Sequence, residues 1–166
     1  MKFQFYVKKL KDSDNYKNFI KQNPDAYPCS GFFVIDKEGK DNKQHFDYYL
    51  PKEKKMFSLQ LEQNLFAPIE TVDKKIPEKI SLDIDFDFED IEELIEKKMR
   101  EENISNKIQK FFFSFQKKDS QYFLIVTVFV SILGIINVNI KVPEMKITDF
   151  EKKSFFDMMN ILKKKK

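Results

Sequence analysis

The chain has 166 residues, of which 42% are hydrophobic and 34% are charged, a composition typical of a globular protein and not of a disordered one. The formal net charge is +3 and the chain ends in four lysines, so the remainder is close to neutral. Nucleic-acid-binding proteins usually carry excess positive charge on the folded surface, which this composition does not favour. Cys29 is the single cysteine, which excludes an internal disulfide. The first residues do not resemble a signal peptide, and we expect a cytoplasmic protein.

The first third of the chain is expected to form a strand, a helix and three further strands. Phe3, Phe5 and Val7 alternate with polar residues, which predicts a strand. Ser13 or Asp14 can cap a short helix that follows. Polar turns then separate three apolar stretches, which favours an antiparallel meander. The three strands are predicted over residues 31–35, 44–50 and 57–61.

The middle of the chain combines an irregular segment, a helix and another strand. Residues 63–81 have little periodicity and contain two prolines, which predicts an irregular connection. Asp87 can cap a helix that extends to about Glu102, with acids in its first turn and cations near its end, as the helix dipole favours. Residues 108–115 are rich in Phe and predict a strand.

Residues 122–140 carry no charge and are hydrophobic enough to be a candidate membrane helix. The alternative is a buried β-hairpin. Ile, Val and Phe dominate the segment, which favours strands, and Ser131 and Gly134 lie near its middle, where a turn fits. Residues 136–140 alternate apolar and polar, the period of a half-buried strand. We therefore predict a hairpin, with membrane association through 122–140 as the alternative.

The C-terminal region predicts a short helix and a solvated basic tail. Residues 144–148 are expected to add a strand, and residues 154–162 a helix. Four apolar side chains recur at helical spacing and are expected to dock on the domain; they are Phe155, Met158, Met159 and Leu162. Adjacent like charges repel one another, so the tail is expected to be frayed and to offer at most a weak contact for an anionic partner. The tail consists of Lys163, Lys164, Lys165 and Lys166.

The order helix, strand, strand, strand occurs twice, over residues 13–62 and 87–142. Phe33 precedes Phe113 by about 80 positions in this arrangement. The spacing predicts either a duplicated unit or two similar hairpins that arose separately. Together the elements predict an α+β fold of antiparallel meander sheets packed against helices, in one compact domain over residues 1–166.

A helix followed by a three-stranded meander, used twice over residues 13–148, resembles the PepSY and cystatin-like class of small α+β domains. The turn that contains Asp36 and Gly39 is similar to turns that end strands in that class, whereas the second unit has Asp119 and no Gly at the same place. Members of the class often bind peptides or inhibit partner proteins. The resemblance therefore implies a binding role.

No arrangement typical of a catalytic site is found in the sequence. Cys29 and His45 are each alone in their residue type, and a free cysteine is most often an inert, buried small residue. The three glycines lie too far apart for a phosphate-binding loop. An acidic cluster could collect a divalent cation, but it lacks the glycine of a calcium loop and is interpreted as a solvated strand and the start of a helix. The cluster comprises Asp83, Asp85, Asp87, Glu89 and Asp90.

These observations predict a non-catalytic binding or interaction module that holds a peptide or protein partner on a sheet face or edge. We expect no metal and no cofactor. Two alternatives remain. An RNA- or ribosome-associated protein would use lysine patches, the basic tail and the Phe-rich stretch 111–115, whose side chains could stack bases, although a packed core strand is the favoured interpretation of that stretch. A membrane-associated protein would use residues 122–140.

Overall fold

The structure is a computed structural model that describes residues 1–70 and 75–165. Over these residues the chain forms four helices and eight strands. The helices are α1 (Phe3–Asp12), α2 (Asp14–Gln22), α3 (Phe88–Glu101) and α4 (Phe155–Lys164). The strands are β1 (Tyr27–Asp36), β2 (Lys43–Leu50), β3 (Lys55–Gln60), β4 (Leu65–Ile69), β5 (Ile108–Lys118), β6 (Gln121–Val130), β7 (Gly134–Val142) and β8 (Lys146–Ser154).

All eight strands belong to one antiparallel sheet with the order β4-β3-β2-β1-β5-β6-β7-β8. Strands that are consecutive in sequence pair with each other, except for β4 and β5. Strand β5 pairs instead with β1. The two meanders predicted from the sequence therefore join into one continuous sheet through β1 and β5. The predicted α+β class with antiparallel strands is confirmed.

Helices α1, α2 and α3 pack on one side of the sheet, which we call the core face. Phe33 of β1 lies opposite Phe113 of β5 on this face, and both side chains are almost completely buried. Phe3 of α1 contacts Phe33 with ring centroids 5.9 Å apart, and Phe88 of α3 contacts Phe113 at 5.0 Å. Phenylalanine fills this layer efficiently because it needs no hydrogen-bond partner, which explains the Phe-rich composition.

The strand predicted over the first residues is wrong, because residues 3–12 form helix α1. Phe3 and Val7 fit both a strand and a helix pattern, since they are separated by four positions. Leu10 extends the helical pattern, and it is buried together with Phe3 and Val7. Phe5, which a half-buried strand would bury with them, is 54% exposed.

Three other predicted elements are confirmed. Ser13 caps α2, where its Oγ accepts a hydrogen bond from the backbone N–H of Tyr16. Asp87 caps α3 by accepting from the N–H of Glu89 at 3.1 Å. The apolar stretch 122–140 forms the hairpin of β6 and β7. Among the described residues, no helix combines the length and apolar character needed to cross a membrane.

The strand boundaries differ from the predicted ones at several places. Strand β4 lies inside the segment 63–81 that was expected to be irregular, and part of that segment, 71–74, lies outside the described residues. Strand β5 continues to Lys118, three residues beyond the predicted end at residue 115. Strand β8 extends to Ser154 and is defined by its backbone pairing with β7. The sequence does not indicate its second half, because the charged side chains there do not form a strand pattern.

The first prediction compares two neighbouring phenylalanines of β5. Replacing Phe113 by Ala should lower the free energy of unfolding by about 3–5 kcal/mol, because the side chain is fully buried. Phe112→Ala should cost at most about half of that, because Phe112 lies on the other side of the sheet and is partly exposed. Urea unfolding of both variants measures the difference. Equal losses would contradict the assignment of the two faces.

Candidate partner-binding face

The side of the sheet opposite the helices carries a row of aromatic side chains, and we call this side the open face. Successive residues of a strand point to opposite sides, so Phe32, Phe112 and Phe129 point away from the core face. Phe32 and Phe112 have ring centroids 5.9 Å apart, and Phe112 and Phe129 are 4.8 Å apart. All three side chains are partly exposed. The row crosses the middle of the sheet and offers an apolar surface that the described helices do not cover.

The remainder of the open face mixes apolar and uncharged polar side chains. Ile125 of β6 is 39% exposed, and Ile135 of β7 lies opposite Phe129. Thr127 and Asn137 also face each other, with the hydroxyl of Thr127 donating to Oδ1 of Asn137 at 3.4 Å. Apolar and hydrogen-bonding groups are therefore interleaved, as in many non-obligate protein interfaces.

Lysines on the open face have carboxylates close by. Lys110 Nζ lies 2.9 Å from Asp41 Oδ2 and 4.0 Å from Asp36 Oδ2. Hydrogen bonds from Lys110 and Lys43 lower the pKa of the Asp41 carboxyl below its usual value. Two further ion pairs on this side are Lys153–Glu151 and Lys141–Glu144. The face thus offers little uncompensated positive charge.

A carboxyl group lies at one end of this face, beside a bulge in β1. Pro28 pairs with Tyr48 and Ser30 with Asp47, so Cys29 is the extra residue of the bulge. The Ser30 hydroxyl donates to Asp47 Oδ2 at 2.7 Å. Burial raises the pKa of Asp47 above its usual value, and the hydrogen bonds from Ser30 and Ser58 only partly oppose this.

A cleft of about 440 Å³ lies next to this bulge. Its walls include Ser30 of β1, Ser114 and Gln116 of β5, and the segment at Ile76 and Pro77. The segment is held there because the Tyr27 hydroxyl donates to the carbonyl of Pro77 at 3.0 Å. The cleft extends the open face toward one end of the sheet.

The structure does not assemble a Cys–His dyad. The Cys29 Sγ donates to the backbone carbonyl of Asp47 at 3.4 Å, and burial raises the pKa of the thiol to about 12. His45 pairs instead with Phe32, three residues further along β1, and its Nε2 lies 2.6 Å from Glu62 Oε1. Burial works against ionisation of Glu62, but backbone hydrogen bonds and His45 outweigh it and lower the pKa of this carboxyl.

The acidic cluster has structural partners. Asp87 caps α3, and Asp85 Oδ2 lies 3.8 Å from Lys2 Nζ. Over residues 1–70 and 75–165, no group of three or more His, Cys, Asp or Glu side chains is placed to hold a metal ion.

The first two lysines of the basic tail belong to helix α4, whose described side chains remain exposed. Lys163, Lys164 and Lys165 are exposed, and Lys166 lies outside the described residues. Met159 is 38% and Leu162 65% exposed, so the expectation that these two dock on the domain is wrong. The side chains of Phe155 and Met158 lie outside the described residues.

The Phe-rich stretch 111–115 is divided by the sheet. Phe111, Phe113 and Phe115 are buried in the core, and Phe112 is the one aromatic side chain of this stretch that belongs to the open face. The base-stacking interpretation therefore applies to one of its four aromatic side chains. The sequence signal for the open face was the uninterrupted Phe111-Phe112-Phe113 run, since apolar residues at successive positions supply both sides of a strand.

Comparisons with known proteins identify no relative of this chain. No protein-family model, no curated protein and no solved structure matches it. The resemblance to the PepSY and cystatin-like class, which concerns element order, stays a prediction.

The second prediction concerns the reactivity of Cys29. The folded protein should react with a thiol reagent at neutral pH much more slowly than the urea-unfolded chain, because the thiol is 4% exposed and its pKa is raised to about 12. Absorbance after addition of an aromatic disulfide follows the reaction. A folded-state rate equal to that of the unfolded chain would show that the bulge opens readily.

The third prediction concerns Asp47 and pH. Its raised pKa means that, above the ordinary value of 3.8, the folded protein holds a proton that the unfolded chain has released. The contribution of Asp47 to stability should therefore fall as the pH rises from the ordinary pKa through the raised one. The difference in unfolding free energy between the wild type and Asp47→Asn should decrease from about pH 3.5 to about pH 6.5.

Urea unfolding at both pH values measures this difference. Asp41→Asn is the matched control, because the lowered pKa of Asp41 predicts a change of opposite sign. The same sign for both variants would contradict the assignment.

Proposed function

We propose that this protein is a non-catalytic binding module that holds a protein or peptide partner on its open face. The observation that carries the proposal is that helices cover one side of the sheet and leave the other side open. Helices α1, α2 and α3 bury the core face, whereas Phe32, Phe112 and Phe129 remain partly exposed on the opposite side. Aromatic side chains supply much of the binding energy at protein interfaces, and a contiguous aromatic row is typical of an interaction surface.

The open face is favoured over the sheet edges. Edge strand β8 is rich in charged residues and contains Asp149, Glu151 and Lys152, a composition that discourages pairing with another strand. Edge strand β4 contains Pro68, which lacks a backbone donor. Main-chain pairing with a peptide is therefore disfavoured on both edges.

The charge distribution favours a protein partner over RNA. A surface that binds single-stranded nucleic acid combines stacking aromatics with cations that follow the phosphates. On the open face the aromatics are present, but Lys110, Lys141 and Lys153 each lie near a carboxylate. The single buried thiol, which forms no disulfide, is consistent with our proposal that the binding takes place in a reducing compartment such as the cytoplasm.

We also infer that the two meanders derive from a duplicated unit. The offset of about 80 positions equates Phe33 with Phe113, and these two residues are direct partners across β1 and β5. If a two-fold axis relates the two halves, residues beside the axis are expected to pair with their own equivalents in the other half. The same offset equates residues of β3 with residues of β7, the third strand of each meander.

The fourth prediction tests the open face. Affinity capture from native lysate with the wild type identifies the partner, and calorimetry with the purified partner gives its affinity. Phe112→Ser combined with Phe129→Ser should weaken binding at least about tenfold, because two partly exposed aromatics are removed from the centre of the surface. Phe5→Ser is the matched control, since Phe5 is 54% exposed but lies on α1, and it should bind like the wild type.

Two outcomes would contradict the proposal. One is equal loss of affinity in the Phe5 variant, which would place the partner elsewhere or indicate general instability. The other is recovery of RNA with the wild type, lost in the Phe112 and Phe129 variant, which would make the open face a nucleic-acid surface.

A further inference from the structure

The turn between β6 and β7 presents two large apolar side chains to solvent. Ile132 is 86% and Leu133 67% exposed. Ile132 is the most exposed large hydrophobic side chain in the part of the chain that the structure describes. Neither side chain contributes to the core, so packing does not account for their presence.

The backbone of the same turn also disfavours these residues. Ile132 has φ +62° and Leu133 has φ +51°, and two successive positive φ values are the pattern of hairpin turns that favour Asn-Gly. A β-branched residue such as Ile rarely adopts this conformation, because its side chain crowds the backbone. The turn therefore holds two residues that neither burial nor local conformation favours. Strain combined with exposure of this kind is typical of a functional segment.

Two lysines flank the turn. Ser131 exchanges hydrogen bonds with Lys107, whose carbonyl accepts from the Ser131 N–H at 2.8 Å. On the other side, Lys152 Nζ donates to Asn106 Oδ1 at 3.0 Å, while the Asn106 amide donates to the carbonyl of Ser131 at 3.0 Å. Within the described ranges the ion pairs include neither lysine. The apolar tip is therefore bordered by cations without a direct carboxylate partner.

Helix α4 starts at the same end of the sheet. Ser154, its cap, pairs with Gly134, the residue that follows the turn. Ile161 and Leu162 are 48% and 65% exposed, and the last turn of the helix contains Lys163 and Lys164 of the basic tail. An amphipathic segment with exposed apolar residues and lysines is typical of helices that lie in a membrane interface.

We propose that this end of the molecule docks on an anionic lipid surface. Ile132 and Leu133 insert between the headgroups, and Lys107 and Lys152 lie at the level of the lipid phosphates. Helix α4 and its lysines add a second contact, and stable attachment to membranes generally takes two such signals. The proposal uses a surface distinct from the open face and does not depend on the function proposed above.

A lipid layer fits this surface better than a protein pocket. The tip is convex, and a fluid layer accepts a protruding tip without a preformed cavity. Lys107 and Lys152, which form no ion pair among the described residues, complement the negative surface potential of anionic membranes. A protein partner would need both a pocket for two branched side chains and carboxylates on either side of it.

The fifth prediction tests the turn directly. The wild type should sediment with vesicles of phosphatidylcholine and phosphatidylserine, less with pure phosphatidylcholine, and less as salt is raised. Ile132→Asn/Leu133→Gly should reduce the partition coefficient at least about tenfold. The thermal midpoint of this variant should stay the same or rise, because Asn-Gly suits the turn. Loss of binding therefore cannot be attributed to unfolding.

Two further variants complete the test. Ile125→Asn removes an exposed apolar side chain from the open face of the same hairpin and should leave vesicle binding unchanged. The chain contains no Trp, so Leu133→Trp provides a fluorescent probe whose emission should shift to the blue on the anionic vesicles. The proposal is overturned if the wild type stays in the supernatant with anionic vesicles, if the Asn-Gly variant binds as tightly as the wild type, or if the probe shows no shift.

Discussion

The pairing of β1 with β5 is the contact on which the rest of the structure depends. It joins two meanders that would otherwise each have an unprotected inner edge, and it places Phe33 directly against Phe113. The aromatic layer that α1 and α3 bury is centred on this pair, with Phe3 and Phe88 in contact with it. One long-range strand pairing therefore creates both the continuous sheet and the surface on which the helices pack.

A continuous sheet of eight strands also has a second side, and its chemistry follows from the same strands. Phe32 and Phe112 alternate with the buried residues beside them, so the fold brings them together when it buries Phe33 and Phe113. Helices α1, α2 and α3 pack on the core face only. The open face is thus a consequence of how the core forms, and its aromatic row is the surface on which we propose that a partner binds. Ile132 and Leu133 in the exposed turn between β6 and β7 do not contribute to the core, and we propose a different role for them, in lipid binding.

The sequence was sufficient to predict most strands and three of the helices, since periodicity and capping residues are local signals. Ser13 and Asp87 marked helix starts correctly, and the alternation at 136–140 distinguished a hairpin from a membrane helix. The prediction from the sequence was wrong at Phe3 and Val7, because a separation of four positions fits both a strand and a helix. The joining of the meanders and the side on which Phe112 lies depend on long-range pairing, which no local pattern encodes. The exposure of Leu162 was missed for the same reason, because helical spacing predicts an apolar stripe without saying what it packs against.

The contact between the start of α1 and residues 86–88 has a consequence for synthesis on the ribosome. The Phe3 N–H donates to the carbonyl of Phe86, and the rings of these two residues stack at 4.8 Å. Helix α1 is synthesised about 80 residues before its docking partner, an interval of roughly 4–16 seconds at ordinary rates of translation. During that interval the buried stripe of α1 and the inner edge of β1 are both unprotected. The nascent chain therefore passes through a stage in which these apolar surfaces are accessible to chaperones, and it leaves that stage only when α3 and β5 have emerged.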